Sequence, residues 1–252
     1  MLLGSILGRE RAWLLAHAEE AIDLSTARAA RAVFARRVAG EPVSHIAGRR
    51  EFYGLALRVT PEVLIPRPET ELLVELALER LSPDEPRRVL ELGTGSGAIA
   101  IALASERPGL AIVATDISEA ALALARRNAR DHAAEIDFVL SDWFDALGPG
   151  QFDLIVSNPP YVPAEDAHLE RGDLRFEPRL ALVGGDDGLA CIREIAARAQ
   201  NRLRPGGSLL IEHGYDQADR CVELFRTLGY AGVADSRDLA GWPRVCAGVW
   251  RG

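Results

Sequence analysis

The sequence contains no lysine, so all 29 of its basic side chains are arginine, against 37 acidic residues and a net charge of -8. Neutralising the phosphates of duplex nucleic acid requires clustered cationic side chains. The charge balance therefore argues against a broad nucleic-acid surface and leaves room only for a local basic patch. With 48% apolar and 26% charged residues, the composition is that of an ordinary globular chain.

Cysteine and long apolar runs are also scarce. Cys191, Cys221 and Cys246 lie far apart, are odd in number and form no C-x-x-C pair, which disfavours a disulfide framework or a zinc site and predicts small buried residues. No histidine pair has metal-ligand spacing, so no metal is predicted. No apolar run approaches the roughly 20 residues of a membrane-spanning helix, and no basic segment leads into a secretory core. We expect a cytoplasmic protein without membrane contact.

The beginning of the chain predicts a small helical unit over residues 1–48, followed by a hairpin or linker over residues 49–66. Glycines interrupt the first 21 residues, which favours two short helices or one poorly formed helix. The next helix is expected from Ser25, as N-cap, to Gly40. Its predicted inward face consists of Ala27, Ala30, Phe34 and Val38.

From residue 67 to residue 252 the pattern alternates between strands and helices, which is typical of a parallel sheet covered on both faces. The helix at Glu69 to Leu81 is expected to turn Leu72, Leu73 and Leu76 inward. Six strands are predicted at 88–92, 111–115, 136–140, 153–157, 208–212 and 244–250. Helices are predicted between most of them, at 98–107, 118–131, 188–203 and 215–228. The fold class is therefore α/β with a doubly wound sheet.

The segment Val89 to Gly97 indicates an apolar strand, a glycine-rich turn and the start of a helix. Glycine lets the backbone approach a ligand closely, and a helix N-terminus offers free N–H groups. The spacing is G-x-G-x-G, which differs from the G-x-G-x-x-G of dinucleotide-binding folds. By itself the pattern would also fit a tight turn that binds nothing.

Asp116 ends the next predicted strand, about 23 residues after Gly93. In nucleoside-binding sheets a carboxylate at this place accepts hydrogen bonds from the ribose hydroxyls. As an isolated residue Asp116 would fit a helix N-cap, a role for which Ser118 competes. Together with the glycine turn it indicates an adenosine-containing cofactor, either S-adenosylmethionine or NAD.

The segment Asp153 to Tyr161 decides between the two cofactors. It is a buried strand that ends in Asn158, Pro159, Pro160 and Tyr161. The prolines stiffen the turn and remove backbone donors. If the Asn158 side-chain oxygen and the Pro159 carbonyl each accept one N–H of a planar nitrogen, its lone pair is directed toward an activated methyl group. Tyr161 would pack against the flat group, which makes Asn158, Pro159 and Tyr161 the predicted catalytic residues.

In this order, Leu92 to Gly97, Asp116 and the Asn-Pro-Pro-Tyr turn resemble the class I amino-methyltransferases, which act on adenine N6, cytosine N4 or glutamine side chains. The segments Glu41 to Gly48, Glu51 to Gly54 and Leu64 to Glu71 narrow this resemblance. They are similar to the bacterial peptide chain release factor glutamine N5-methyltransferases over nearly the whole chain. One helix fewer than usual is expected before Leu14, which bears on partner docking and not on methyl transfer.

The resemblance implies a Rossmann-like, mostly parallel sheet of seven strands, with residues 1–48 as a substrate-docking domain and residues 67–252 as the methyltransferase domain. It implies methylation of the glutamine in the Gly-Gly-Gln loop of release factors, with S-adenosylhomocysteine as the second product. The implied cofactor-binding residues are Gly93, Thr94, Gly95, Ser96, Gly97, Asp116, Asp142, Trp143 and Asn158. The implied substrate-binding residues are Asn158, Pro159, Pro160 and Tyr161.

Several interpretations stay open at this point. A nucleic-acid adenine N6-methyltransferase shares the turn and the cofactor, but it would require a basic face and aromatics that stack a flipped base. A non-enzymatic cofactor-sensing module would bind a partner without methyl transfer, and an NAD dehydrogenase fits the glycine spacing poorly. Arg67 suits either a pocket rim or a linker anchor, and Trp143 would also fit a simple cover over the sheet end. The histidines are expected to be surface or capping residues, and the acidic run 165–173 a solvated loop.

Overall fold

The computed structural model describes residues 2–82 and 87–252. Its N-terminal part contains α1 (Leu2–Leu7), α2 (Arg11–Ala16), α3 (Leu24–Val38) and α4 (Val43–Ala47). The two short helices expected before residue 21 are confirmed. The predicted cap of α3 is wrong: Asp23 is the N-cap, because its carboxylate accepts the backbone N–H groups of Ser25 (2.8 Å) and Thr26 (2.9 Å).

The predicted inward face of α3 is also wrong in large part. Ala30 is buried, whereas Phe34 is 46% and Val38 is 88% exposed. The helix packs mainly on α1 and α4, which are short. Its C-terminal half therefore has few neighbours to cover an apolar stripe.

Of the two possibilities expected for residues 49–66, a hairpin or a linker, the structure has a hairpin, β1 (Arg49–Phe52) paired antiparallel with β2 (Leu55–Arg58). Tyr53 and Gly54 connect the strands with φ values of 52° and 74°. Two successive positive φ angles are the signature of the tight turn that matches the twist of a hairpin. Phe52 and Leu57 are buried in the main core, so the hairpin is packed against the α/β part of the chain.

The main sheet has seven strands in the order β5-β4-β3-β6-β7-β9-β8. The strands from β5 to β7 are parallel, and β9 runs antiparallel to both β7 and β8. The bounds are β3 Arg88–Leu92, β4 Ala111–Asp116, β5 Asp137–Leu140, β6 Phe152–Ser157, β7 Leu203–Glu212, β8 Ala231–Arg237 and β9 Pro243–Val249. The six predicted strands are present, and β8 is the one that the sequence pattern did not show.

Helices cover both faces of the sheet, which confirms the doubly wound fold. The bounds are α5 Glu71–Arg80, α6 Ala98–Glu106, α7 Glu119–Asp131, α8 Ala190–Ala199 and α9 Ala218–Thr227. Successive strand residues alternate between two apolar clusters: Val89 packs on the side of α5 and α6, and Leu90 on the side of α8 and α9. The predicted face of α5 is only partly right, because Leu73 is buried with its neighbours Val74 and Ala77, while the other two predicted leucines are partly exposed.

The strand order reverses between β3 and β6, because β4 and β5 lie on one side of β3 and the later strands lie on the other. In open α/β sheets ligands bind outside the carboxyl ends of the strands at this switch point. The turns after β3, β4 and β6 therefore meet at one place. Within the described residues, no helix is both long enough and apolar enough to span a bilayer.

Candidate active site

A cavity of about 570 Å³ lies at the switch point. Most of the residues predicted from the sequence line it, including those from the glycine turn, the end of β4 and the turn after β6. The predicted residues in its lining are Gly93, Thr94, Gly95, Ser96, Asp116, Asp142, Trp143, Asn158 and Pro160. Three predicted site residues, Gly97, Pro159 and Tyr161, are not among its lining residues.

Asp116 braces the glycine turn. Its Oδ2 accepts the Gly95 N–H at 2.8 Å and its Oδ1 accepts the Ser118 N–H at 2.9 Å. The N-cap of α7 is Ser118, whose Oγ accepts the Ala121 N–H at 3.2 Å. The carboxyl group of Asp116 lines the cavity, and burial raises its pKa above the usual value.

Glu91, which the sequence analysis did not single out, is buried beneath the glycine turn. It is 1% exposed. Its Oε2 accepts the Thr94 hydroxyl at 2.7 Å and the Ala100 N–H at 3.1 Å. Burial raises the pKa of Glu91 to about 8, so the group takes up a proton near neutral pH.

Two glycines of the turn serve different purposes. A Cβ on Gly93 would lie 3.5 Å from the Trp143 ring, so the indole covers this glycine at the edge of the cavity. Gly97 has φ of 85°, and a Cβ there would lie 3.0 Å from Ile101 Cδ1 and 3.2 Å from Ala125 Cβ. Gly97 therefore permits the close packing of α6 on α7, which explains its place behind the cavity lining.

Asn158 follows β6, and only one of the two polar atoms of its side-chain amide is hydrogen-bonded. Its Nδ2 donates to Thr70 Oγ1 at 3.0 Å. Its Oδ1 is buried and has no hydrogen-bond partner among the described residues. Since buried polar atoms in folded proteins are nearly always paired, an unpaired acceptor at the cavity marks a place for a donor from outside.

The rest of the Asn-Pro-Pro-Tyr turn is held from behind. The Tyr161 hydroxyl donates to Glu212 Oε1 at 3.3 Å, and the Tyr161 carbonyl accepts the Gln217 Nε2–H at 2.9 Å. Burial raises the pKa of Tyr161 well above its usual range, so the ring keeps its proton. Pro159 is buried and Pro160 lines the cavity.

Glu177 binds two residues of the segment before α5, Ile65 and Arg67. Glu177 Oε2 accepts the Ile65 N–H at 2.9 Å, and Glu177 Oε1 pairs with Arg67. Arg67 itself lines the cavity. Both roles considered for Arg67, at the pocket rim and as a linker anchor, therefore apply.

Two histidines differ from expectation. His45 and His213 are 8% and 0% exposed, so the prediction of surface or capping roles is wrong for them. His213 Nε2 lies 2.6 Å from Asp235 Oδ2 on β8, a strand that the sequence pattern did not show. The acidic run 165–173 is mostly exposed, as expected, although Leu169 is buried within it.

Chemically, the cavity combines a braced carboxylate, a glycine turn and an aromatic ring on one side with an unpaired amide oxygen on the other. The first set suits a nucleoside with free ribose hydroxyls. The second set suits an N–H donor brought close to it. These residues therefore fit S-adenosylmethionine on the side of Asp116 and an amide or amine acceptor on the side of Asn158.

Comparison with known proteins gives two family matches and several similar folds. The Methyltransferase small domain family matches residues 69–172, and the PrmC N-terminal domain family matches residues 1–48. The T. thermophilus 16S rRNA N2 G1207 methyltransferase, solved with AdoMet and guanosine, has a TM-score of 0.60 at 23% identity, covering 81% of this chain and 50% of that one. A methyltransferase from Pyrococcus furiosus has a TM-score of 0.60 at 20% identity, covering 90% and 100%. Likeness at this identity establishes the fold alone.

Sequence relatives are more specific. The release factor glutamine methyltransferase of Bordetella pertussis is 51% identical over 98% of this chain and 92% of its own length. The Escherichia coli protein of the same name is 47% identical over 98% and 90%. The fold and the site define a class I methyltransferase with a Rossmann-like sheet. The chain belongs to the release factor glutamine methyltransferase family.

Proposed function

We propose that this chain transfers a methyl group from S-adenosylmethionine to the side-chain amide nitrogen, N5, of the glutamine in the Gly-Gly-Gln motif of peptide chain release factors. Its relatives are named for release factor glutamine methylation and align over nearly their whole length. The structural observation that carries the proposal is the buried, unpaired Oδ1 of Asn158 at the cavity. We place the reaction in the cytoplasm, where translation terminates.

The cofactor side of the cavity is assigned to the glycine turn, Asp116 and Trp143. The Asp116 carboxylate accepts the ribose hydroxyls, and its bonds to Gly95 and Ser118 keep it in place for that purpose. Asp142 and Trp143 follow β5 and flank the adenine. S-adenosylmethionine, when bound, supplies an electrophilic methyl group on a sulfonium centre.

The acceptor side of the cavity orients an amide nitrogen, which is a poor nucleophile because its lone pair is delocalised into the carbonyl. In this proposal Asn158 Oδ1 accepts one N–H of the glutamine amide. The carbonyl of Pro159, whose two neighbours Asn158 and Pro160 line the cavity, accepts the other. With both hydrogens held, the lone pair is directed at the methyl carbon, and catalysis consists of positioning and electrostatics. The N–C bond forms as the bond between the methyl carbon and sulfur breaks, which leaves S-adenosylhomocysteine. The nitrogen then releases one proton to solvent, so no general base is required for the attack.

The test is methyl transfer to purified release factor, with duplex DNA as the competing acceptor and tritium-labelled cofactor as the donor. Label is expected in the release factor, at the glutamine of Gly-Gly-Gln by peptide mass analysis. Label in DNA alone would contradict the proposal and favour an adenine N6-methyltransferase. Complete absence of transfer, with partner binding intact, would favour the non-enzymatic interpretation.

Asn158→Ala is expected to lower kcat by about 100-fold or more, since removing one preorganised hydrogen-bond partner in an active site has an effect of this order. Cofactor affinity is expected to change little. Asn201→Ala removes an exposed Asn amide elsewhere and serves as the matched control. An Asn158→Ala variant with the kcat of the control would contradict the role of Asn158.

A further inference from the structure

The orientation of the Asn158 amide is decided by its neighbour Thr70. Proposed methyl transfer requires the oxygen of this amide, and not its NH2 group, at the acceptor nitrogen. An amide can be rotated to exchange the two. In the structure Nδ2 donates to Thr70 Oγ1 at 3.0 Å and leaves Oδ1 unpaired. This arrangement requires the Thr70 oxygen to act as an acceptor.

A hydroxyl group has one hydrogen and can either donate it to Asn158 Oδ1 or direct it elsewhere. The buried group that can receive it instead is the carboxyl group of Glu212. Glu212 is 1% exposed. The Thr70 side chain lowers the pKa of its carboxyl group and so favours the ionised form. An ionised carboxylate only accepts hydrogen bonds and attracts a hydroxyl hydrogen more strongly than a neutral amide oxygen does.

Register explains why Glu212 stands at this place. β6 and β7 pair with Ser157 opposite Ile211, so Asn158 and Glu212 are the next residues at the carboxyl ends of adjacent parallel strands. The Tyr161 hydroxyl donates to Glu212 Oε1 at 3.3 Å, and the Thr70 side chain acts on the same carboxyl group. Its Oε2 is buried and lacks a partner in strict hydrogen-bond geometry among the described residues. This buried oxygen is the acceptor available to the Thr70 hydroxyl hydrogen.

We infer that Glu212 is a positioning residue that acts through Thr70 to present the oxygen of Asn158 to the substrate amide. This inference rests on the proposed function and adds a residue that does not line the cavity. When Glu212 is ionised, the Thr70 hydroxyl is directed to it and accepts from Asn158. When Glu212 is neutral, the Thr70 hydroxyl is free to donate to Asn158 Oδ1, and the reversed amide presents its NH2 group to the substrate.

Other charged and titratable groups act on Glu212. Burial raises the pKa of Glu212 to about 7, and the negative charge of Glu69 also raises it. The Arg244 guanidinium and the hydroxyls of Thr70 and Tyr161 lower this pKa. Because the active form is the carboxylate, kcat at saturating cofactor is expected to fall as the pH drops below about 7. Glu69→Gln removes a negative charge without touching the hydrogen bonds, so it is expected to shift this fall to lower pH and to preserve the plateau.

The experiment measures kcat and KM for release factor methylation from pH 6 to pH 9, together with cofactor affinity and thermal unfolding, in wild type and four variants. Glu212→Gln keeps the size of the side chain and is expected to lower kcat by about 10- to 100-fold, the factor that corresponds to one misdirected buried hydrogen bond. The fall near pH 7 is expected to vanish. Thr70→Val is expected to lower kcat similarly, while Thr70→Ser, which keeps the hydroxyl, is expected to restore it.

A Glu212→Gln variant with wild-type kcat, or with the same pH profile as wild type, would overturn the inference. If Glu212→Gln does not fold, the two Thr70 variants and Glu69→Gln provide the test. Equal kcat in Thr70→Val and Thr70→Ser overturns the inference as well. An unchanged pH profile of kcat in Glu69→Gln also overturns it. Transfer by wild type to an acceptor other than release factor would contradict the proposed function only. The kcat values of the variants relative to wild type, measured with that acceptor, would still test the role of Glu212.

Discussion

Replacing Asp116 by Ala is the sharpest test of the cofactor side of the cavity. Both carboxylate oxygens of Asp116 are fixed by backbone N–H groups, Gly95 at 2.8 Å and Ser118 at 2.9 Å. A carboxylate held in this way loses little freedom when the ribose binds. A hydrogen bond to a charged group contributes about 1.5–3 kcal/mol, so two ribose hydroxyls together amount to at least about 3 kcal/mol. Each 1.4 kcal/mol is a factor of about ten, so the affinity is expected to fall about 100-fold or more.

Isothermal titration calorimetry with S-adenosylhomocysteine measures this loss. Asp131→Ala removes an exposed carboxylate at the far end of α7 and is the control for a change of net charge. Asp116→Asn is expected to lie between wild type and Asp116→Ala, because the amide keeps one acceptor but opposes its NH2 group to a backbone N–H. Unchanged affinity in a folded Asp116→Ala variant would refute the ribose assignment.

Two further predictions concern stability. The pKa of Glu91 is raised by burial to about 8, so this group stabilises the fold fully below its ordinary pKa, and the contribution is lost as the pH rises through about 8. Between pH 6 and pH 8 the free energy of unfolding of wild type is expected to fall by about 2 kcal/mol, and that of Glu91→Gln is not. Urea unfolding at several pH values measures this. The same dependence of the free energy of unfolding on pH in both proteins would contradict the prediction. Gly97→Ala is expected to lower the free energy of unfolding by about 2–3 kcal/mol, because of the positive φ and of crowding against α7. Gly95→Ala is the control and is expected to lose less, because a Cβ there meets nothing within 4 Å. Equal losses in the two variants would show that packing at Gly97 is not the cause.

Much of the fold follows from local patterns. The apolar strand at Arg88–Leu92 matches its predicted bounds, and the helix predicted from 98 to 107 differs from α6 by one residue. These elements are buried on both sides, so their hydrophobic signal is strong. The edge strand β8 (Ala231–Arg237) has no such signal. Its sequence AGVADSR contains few large apolar residues, and it pairs with another strand, β9, on one side only. Pairing with β9 creates this strand, and no local property predicts it.

The same contrast holds at the site. Asp116 and Asn158 could be found because each follows a strongly apolar strand and has a residue type suited to a ligand. Thr70 and Glu177 could not be found in this way, and Glu212, which ends the strand predicted at 208–212, could be placed near the site but not assigned its role. Thr70 lies in a segment that the family resemblance marks, but no rule of spacing indicates its hydrogen bond to Asn158. Glu177 binds the backbone of Ile65, which is 112 residues away.

The residues that escape prediction share a physical origin. A residue that contacts a ligand must be exposed to the cavity, and this requirement limits it to a few turns that have recognisable sequences. A residue that orients it must be buried, and a buried charge is tolerated only where hydrogen bonds and neighbouring charges compensate its desolvation. The sheet supplies such places at the carboxyl ends of adjacent strands, where register brings Glu212 beside Asn158 across 54 positions of sequence. In a sequence of this kind, an acidic residue that ends a fully apolar strand next to the substrate turn is therefore the first candidate for a positioning role.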